Sequence, residues 1–213
     1  FYRIYLVKKI TKLKLDITYS LVDDNIIKIE IYNNSIIYNS GQYIYLCIPQ
    51  ISILEWHPFS ISNSPNENIT FYIKILGDWT LKLKNKIINE EKIDMLIDGF
   101  YGNISKYLLE YQYIILFGGG IGITPILSVI KDIYSNYKNN LQHIKKIYLI
   151  CSFEEYNSIA YLLDPIYSKY QEILSKDNIS IFNTFIHITK NNNNTNKDII
   201  NLYNLKYKIL KNR

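Results

Sequence analysis

Leu116-Phe117-Gly118-Gly119-Gly120-Ile121-Gly122-Ile123-Thr124-Pro125 stands where an apolar run hands over to a helix-compatible stretch. Glycine is scarce in this chain, eight residues in all, and six of the eight lie between Gly99 and Gly122. Glycines permit positive φ and close backbone approach, Pro125 suits a first helical turn, and Thr124 can cap it. The free amides of such a helix start face an anion, which makes a pyrophosphate a natural ligand. Gly118, Gly120 and Gly122 are spaced G-x-G-x-G instead of the dinucleotide fingerprint G-x-G-x-x-G, and no acidic residue stands at the end of the next predicted strand, 146–151, to bind a ribose. The loop alone therefore also reads as a tight strand-to-helix turn without a ligand.

Working outward, the loop separates two regimes. Downstream, strands at residues 113–117, 146–151 and 179–188 alternate with helices at about 124–134 and 154–174, a β-α-β-α-β order that predicts a parallel sheet covered by helices. Upstream, segments 4–7, 26–32, 42–48, 59–62 and 69–76 are short, rich in β-branched and aromatic residues, and bounded by turn signals. They predict an antiparallel barrel or sandwich, interrupted by one helix at 80–89. Two domains follow, an antiparallel β-barrel over residues 1–110 and an α/β parallel-sheet domain over 111–213.

Composition bounds the function. With 213 residues and 48% hydrophobic, the chain is long and apolar enough for two cores and is no disordered tail. Its net charge of +5 comes from scattered lysines, with no block of like charge and no nucleic-acid motif, which sets nucleic acid aside as a partner. No run of eighteen apolar residues occurs, so neither a transmembrane helix nor a secretory signal is predicted, and the chain itself is expected to be soluble. Cys47 and Cys151 are too few for a disulfide framework or a zinc site, so no metal is predicted and the compartment is reducing. Phe1 in place of methionine predicts a piece of a longer protein. Ile, Asn, Lys and the 21 Tyr all have AT-rich codons, so aromatic stripes carry little weight. The run around 191–196 reads as a flexible surface insertion.

Four further blocks carry chemistry: Ser40-Gly41-Gln42-Tyr43; Glu55-Trp56-His57-Pro58-Phe59-Ser60-Ile61-Ser62-Asn63-Ser64-Pro65; Ile73-Lys74-Ile75-Leu76-Gly77-Asp78-Trp79-Thr80; and Asp98-Gly99-Phe100-Tyr101-Gly102. Taken singly each has a plain reading. His57 before Pro58 is a turn residue, Ser60 a solvated strand hydroxyl, Lys74 a solvated strand cation, Trp79 barrel packing, and Cys151 an inert buried thiol. His143 and His187 read as structural. Together with the glycine loop, in this order and at this spacing, the blocks resemble the dehydrogenase region of NADPH oxidases and ferric reductases, within the ferredoxin-reductase-like superfamily. The resemblance runs over residues 5–190.

That resemblance implies an FAD-binding barrel followed by a nicotinamide-dinucleotide domain, and it implies roles. His57, with Pro58, sits near the FAD phosphates, Phe59 lies along the isoalloxazine ring, and Ser60, the catalytic candidate, hydrogen-bonds the flavin near N5. Lys74 stands where the family usually carries arginine for the FAD pyrophosphate. Gly77, Trp79 and Thr80 open a helix whose amides meet that pyrophosphate, with Thr80 suited to cap it. Gly118, Gly120, Gly122, Thr124 and Pro125 hold the nicotinamide dinucleotide, and Cys151 aligns with a family cysteine at the nicotinamide edge. The implied activity moves electrons from NADPH or NADH through FAD to haem in a transmembrane domain of the same parent protein, on the cytoplasmic face of a membrane, and reduces oxygen or ferric iron.

Departures from the pattern carry expectations of their own. Ser152 replaces the family arginine that meets the NADPH 2′-phosphate, and Glu154 and Glu155 behind it suit a ribose diol better than a phosphate. Phe100 replaces a proline. The sequence reaches Arg213 before any Cys-Gly-Pro strand, which predicts a C-terminally incomplete domain with three parallel strands. Two other functions fit the sequence: a soluble FAD-dependent NAD(P)H reductase of a small electron carrier, and a non-catalytic remnant acting as a cytosolic interaction domain. The Glu-Trp-His-Pro-Phe run disfavours the first, since soluble relatives carry arginine and tyrosine there.

Overall fold

The computed structural model describes residues 16–32, 36–65, 67–102, 104–140, 143–155, 157–163, 182–190 and 208–210. The chain divides into two compact units, Phe1–Ile104 and Ser105–Arg213. The strand expected at 4–7, the insertion at 191–196 and the second half of the helix expected at 154–174 lie outside the described residues.

In the first unit, β1 (Asp16–Asp23) and β2 (Ile26–Tyr32) form an antiparallel hairpin whose turn is held by Asp23, its carboxylate accepting the Asn25 N–H at 2.7 Å. β5 (Ile69–Lys74) pairs with the other edge of β2. A second sheet has β3 (Tyr43–Cys47) at its centre, with β4 (His57–Ser60) and β6 (Leu96–Tyr101) antiparallel on either side. The period of two turns Ile27, Ile29, Ile31, Ile69, Phe71 and Ile73 of the first sheet toward Ile44, Leu46 and Ile97 of the second. Both sheets thus enclose one core, closed by Trp79 and Leu83 of helix α1 (Asp78–Ile88). Each fully buried side chain of this size stabilises the fold by about 1.5–3 kcal/mol. The arrangement is barrel-like, and among the described residues ladder pairing runs within each sheet but not around the whole core.

β1 and β6 were not expected. β1 alternates half-buried Ile17, Tyr19 and Leu21 with polar partners, too weak a pattern to stand out, and β6 contains Asp98-Gly99, which reads as a turn. The segment expected at 59–62 begins earlier, at His57, because Leu46 pairs with His57 and Tyr43 with Ser60.

After the short helix α2 (Ile104–Leu108), the second unit is a parallel sheet in the order β10-β9-β8-β7. Its strands are β7 (Tyr113–Gly119), β8 (Lys146–Phe153), β9 (Phe182–Ile188) and β10 (Lys208–Leu210). The fourth strand corrects the expectation of three: Lys208, Ile209 and Leu210 pair with Phe185, Ile186 and His187, a three-residue element too short to show periodicity. Helix α3 (Thr124–Asn140) runs six residues beyond its expected end, and Asn136 supports the extension by donating to the Asp132 carbonyl and carboxylate at 3.1 and 2.7 Å. Its Leu127, Ile130, Ile133 and Tyr134 are buried at helical spacing, and the Tyr134 ring meets Phe182 of β9 at 5.7 Å. A short helix α4 (Asn157–Leu162) follows β8.

Candidate functional site

In the first unit the candidate residues gather at the start of α1. Gly77 is its N-cap, with extended φ of −156°, and a Cβ placed there would meet nothing within 4 Å. Neither backbone conformation nor packing within the chain requires glycine at this position, so what it provides is room. Thr80, expected as the cap, is instead the third helical residue and reaches back. Its Oγ1 accepts the N–H groups of Leu76 at 3.0 Å and Gly77 at 3.1 Å and donates to the Gly77 carbonyl at 2.8 Å. This fixes the entry to the helix, whose leading amides have no intrahelical acceptor.

Trp79, buried on the inner side of this turn, joins the helix to β4. Its ring lies 4.5 Å from His57 and 6.1 Å from Phe59, the latter nearly parallel at 29°. His57 Nε2 and Trp79 Nε1 are both buried without a hydrogen-bond partner among the described residues. Two such atoms in one contact pair are costly, about 1–3 kcal/mol each. Residues alternate faces along a strand, so Pro58 and Ser60 share neither partner. Ser60 pairs with Tyr43, and Pro58 with Tyr45. Tyr43, Tyr45 and Tyr101 form a ring cluster at 5.7–5.8 Å, which the sequence reading discounted as codon bias and which alternation at 43 and 45 could have signalled. Lys74 ends β5 opposite Ile26 and is half-buried.

The block around Gly99 supports this region. Gly99 has φ of +122° and would place a Cβ 2.7 Å from the Tyr101 ring, and Gly102 has φ of +87°. Gln42 donates to the Gly102 carbonyl at 2.8 Å, and Tyr101 to the carboxylate of buried Asp98 at 2.9 Å. Phe100 stacks on Tyr38 at 5.8 Å, and Tyr38 in turn donates to the Ser64 carbonyl.

In the second unit the glycine loop joins β7 to α3 through a 3₁₀ turn, Gly120–Ile123, that the sequence did not signal. Gly118 is favoured by packing, since a Cβ would come within 2.9 Å of Ile126 Cδ1 and 3.3 Å of Ile123 Cα, so that the Ile126 side chain and the turn backbone would have to give. Gly120 is required by its φ of +49°. Gly122 is required by neither: nothing lies within 4 Å of its Cβ position and its φ is not positive. Like Gly77, it leaves open space beside a helix start. Thr124, expected as the cap, is already helical and its hydroxyl donates to the Ile121 carbonyl at 3.1 Å, with Pro125 next in the helix.

Across the ladder, Gly118 pairs with Cys151 and Gly119 with Ser152. The Cys151 side chain is 2% exposed, its Sγ meets the Phe185 carbonyl at 3.6 Å, and burial pushes its thiol up to about 12. That places the thiol in the core. Beyond β8, the Glu154 carboxylate pairs with Lys190 at 3.5 Å, and the Lys190 N–H donates to the Glu154 carbonyl. His143 meets the Leu109 carbonyl at 2.7 Å.

Residues 9–111 match the family model of an FAD-binding domain, and residues 111–208 that of the ferric reductase NAD binding domain. Among curated relatives, Ferric reduction oxidase 2 of Arabidopsis thaliana is 34% identical over 158 residues, 70% of this chain and 22% of that protein. NADPH oxidase 1 of Mus musculus is 28% identical over 172 residues, 78% of this chain and 29% of that protein. The chain thus spans less than a third of the length of these relatives. Among solved structures, the ferredoxin-NADP+ reductase of Plasmodium falciparum with 2'P-AMP superposes with a TM-score of 0.58 at 18% identity, covering 93% of this chain and 83% of that one. The ferredoxin NADP+ reductase of Neisseria gonorrhoeae with bound FAD and NADP gives 0.57 at 15%, covering 91% and 78%. These likenesses establish a ferredoxin-reductase-like fold. No helix among the described residues is long and apolar enough to cross a membrane. With an FAD-binding domain leading directly into a ferric reductase NAD-binding domain, the chain belongs to the family of ferric reductases and NADPH oxidases.

Proposed function

We propose that the chain is the flavin-dependent dehydrogenase module of a membrane oxidoreductase. FAD, when bound, accepts a hydride from NADPH or NADH and passes electrons on singly. The destination proposed for those electrons is haem in a transmembrane domain of the same parent protein, at whose cytoplasmic face this module sits, with oxygen or ferric iron as the final acceptor. The observation that carries the reading is the start of α1: a glycine the chain itself does not need, at a helix N-terminus whose leading amides have no intrahelical acceptor by helix geometry, with the His57–Trp79 ring contact beside it.

On this reading the residues divide the work. Gly77, Thr80 and the leading amides of α1 hold the FAD pyrophosphate, with Lys74 adding a point charge and His57 and Trp79 supplying polar atoms. Phe59 offers an aromatic surface steadied by Trp79, Pro58 keeps β4 extended, and Ser60, on the opposite side of that strand, holds the flavin near N5. Gly118, Gly120 and Gly122 admit the dinucleotide pyrophosphate to the start of α3, which Thr124 and Pro125 shape, while Cys151 lends its backbone beside Gly118. The protein's share of the chemistry is positioning and hydrogen bonding.

Titration of flavin fluorescence with the 213-residue chain tests this. FAD is expected to bind at least tenfold more tightly than FMN, because the contacts at Gly77, Thr80 and Lys74 serve a pyrophosphate that FMN lacks. Lys74→Ala should weaken FAD severalfold and leave FMN unchanged, and Lys74→Arg should tighten FAD by about 1 kcal/mol, since a guanidinium can grip a phosphate through two donors. Equal affinity for the two flavins would refute the site.

A further inference from the structure

We infer that Glu154 sets the choice of nicotinamide cofactor and directs this chain to NADH over NADPH. The inference rests on the dinucleotide reading of the glycine loop and concerns what lies one strand away from it. In an open parallel sheet, ligands bind beyond the carboxyl ends of the strands, and a dinucleotide whose pyrophosphate meets the loop after one strand brings its adenosine ribose to the end of the next. Here that next strand is β8, which lies directly beside β7 with Ser152 opposite Gly119. A 2′-phosphate would therefore meet Ser152 and the residues that follow it.

Nothing in that segment attracts a dianion. From Ile147 to Leu163 the sequence contains no lysine or arginine, and Glu154 and Glu155 follow two and three residues behind Ser152. The basic group brought here from β9's end is Lys190, anchored by its own N–H to the Glu154 carbonyl at 3.0 Å, with the Thr189 N–H on the Phe153 carbonyl at 2.9 Å. Its ammonium pairs with the Glu154 carboxylate at 3.5 Å, and both side chains are more than half exposed. A carboxylate at this position does two things. It offsets the charge of Lys190, the cation that the described residues bring to this strand end, and it offers an acceptor to the hydroxyls of an unphosphorylated ribose. Exposed ion pairs are individually weak, so Glu154 acts through local charge more than through the strength of its bond to Lys190.

The test compares 5′-AMP with 2′-phospho-5′-AMP binding to the FAD-loaded 213-residue chain by titration calorimetry, with NADH and NADPH as a second pair. The unmodified chain is expected to bind 5′-AMP at least as tightly as its 2′-phosphorylated form. Glu154→Gln frees Lys190 and should shift the ratio about tenfold toward the phosphorylated nucleotide, Ser152→Arg should shift it further, and Glu154→Gln combined with Lys190→Gln should return it to near its starting value. Tighter binding of 2′-phospho-5′-AMP by the unmodified chain, or a ratio indifferent to Glu154→Gln, overturns the inference while leaving the glycine-loop site intact. Failure of both nucleotides to bind overturns the dinucleotide reading and this inference with it.

Discussion

The two turns proposed to meet phosphate are built from different materials. At the start of α1, a single glycine is held by a side chain, with the Thr80 hydroxyl bonded to two amides and a carbonyl and the aromatic rings of Trp79 and His57 beneath. At the start of α3, four glycines in five residues make the turn from backbone alone, and the threonine there only donates to the Ile121 carbonyl. The first unit thus has a site that side-chain chemistry can tune, whereas the second has one whose shape is fixed by where Cβ atoms are absent. Gly77 in the first turn, and Gly119 and Gly122 in the second, are free of any demand from the chain itself, Gly119 being extended at φ −133° with its Cβ position 4.0 Å from the Ser152 carbonyl oxygen. Those positions can be changed to test binding apart from folding.

The largest effect should come from breaking the backbone-built turn where packing favours glycine. At Gly118 an added Cβ already meets Ile126 Cδ1 at 2.9 Å and the Ile123 backbone at 3.3 Å, so Gly118→Val must displace Ile126 and press on the turn backbone. Overpacking of this kind costs about 1–3 kcal/mol, and the second unit should lose its cooperative unfolding transition or show it at markedly lower denaturant. Gly122→Ala is the control: urea denaturation should be unchanged within about 0.5 kcal/mol, while nucleotide affinity falls. If Gly122→Ala destabilised the fold as much as Gly118→Val, the two glycines would be doing the same job and the distinction would be lost.

A middle-sized effect belongs to the side-chain-built turn. Thr80→Val keeps the shape and removes two accepted hydrogen bonds and one donated, in a partly exposed setting, at a cost of about 1 kcal/mol. FAD affinity should fall severalfold because the entry to α1 is no longer fixed. Thr80→Ser keeps the oxygen and should retain most of both properties. Indifference of FAD binding to Thr80→Val would show that the helix start is held by something else, and the contrast between the turns would weaken.

How far the sequence reveals all this depends on where the information sits. β2 is legible because Ile27, Ile29 and Ile31 alternate cleanly with polar residues, and the observed strand keeps the expected limits. The glycine loop is legible because glycine is scarce elsewhere, and the ordered blocks reveal the family. Illegible are elements whose stability is supplied by neighbours: β10 exists by pairing with β9, and β6 by pairing with β3 despite Asp98-Gly99. The contact of His57 with Trp79, twenty-two positions apart, and the ion pair of Glu154 with Lys190 are likewise tertiary facts. Cap assignments also miss for a physical reason. Threonine can accept from an amide and donate to a carbonyl, and the local backbone decides which: both Thr80 and Thr124 donate to the carbonyl three residues back, and Thr80 also accepts from two amides.

The smallest effect is expected at Cys151, and it separates the core of the backbone-built unit from its ligand-facing rim. β8 alternates, so Ile147, Leu149, Cys151 and Phe153 are buried while Ser152 is half-exposed. Cys151→Ala should therefore leave nucleotide affinity at pH 7 unchanged, whereas Ser152→Arg changes it. The thiol still has a measurable consequence in alkali. Burial raises it from 9.0 to about 12, so well below pH 9 it is protonated in both the folded and the unfolded chain and contributes little pH dependence. Between pH 9 and 12 the unfolded chain ionises first, and the stability linked to the neutral buried thiol is lost as pH rises, with a slope approaching about 1.4 kcal/mol per pH unit for one group. Tyrosines and lysines titrate in the same window, so the informative quantity is the difference between the unmodified chain and Cys151→Ala in urea denaturation at pH 8, 9 and 10. The difference should shrink by about 0.4 kcal/mol from pH 8 to 9 and by about a further 1 kcal/mol from pH 9 to 10. A difference that stays constant through pH 10, together with altered nucleotide binding at pH 7, would move the Cys151 side chain out of the core and onto the rim beside Gly118.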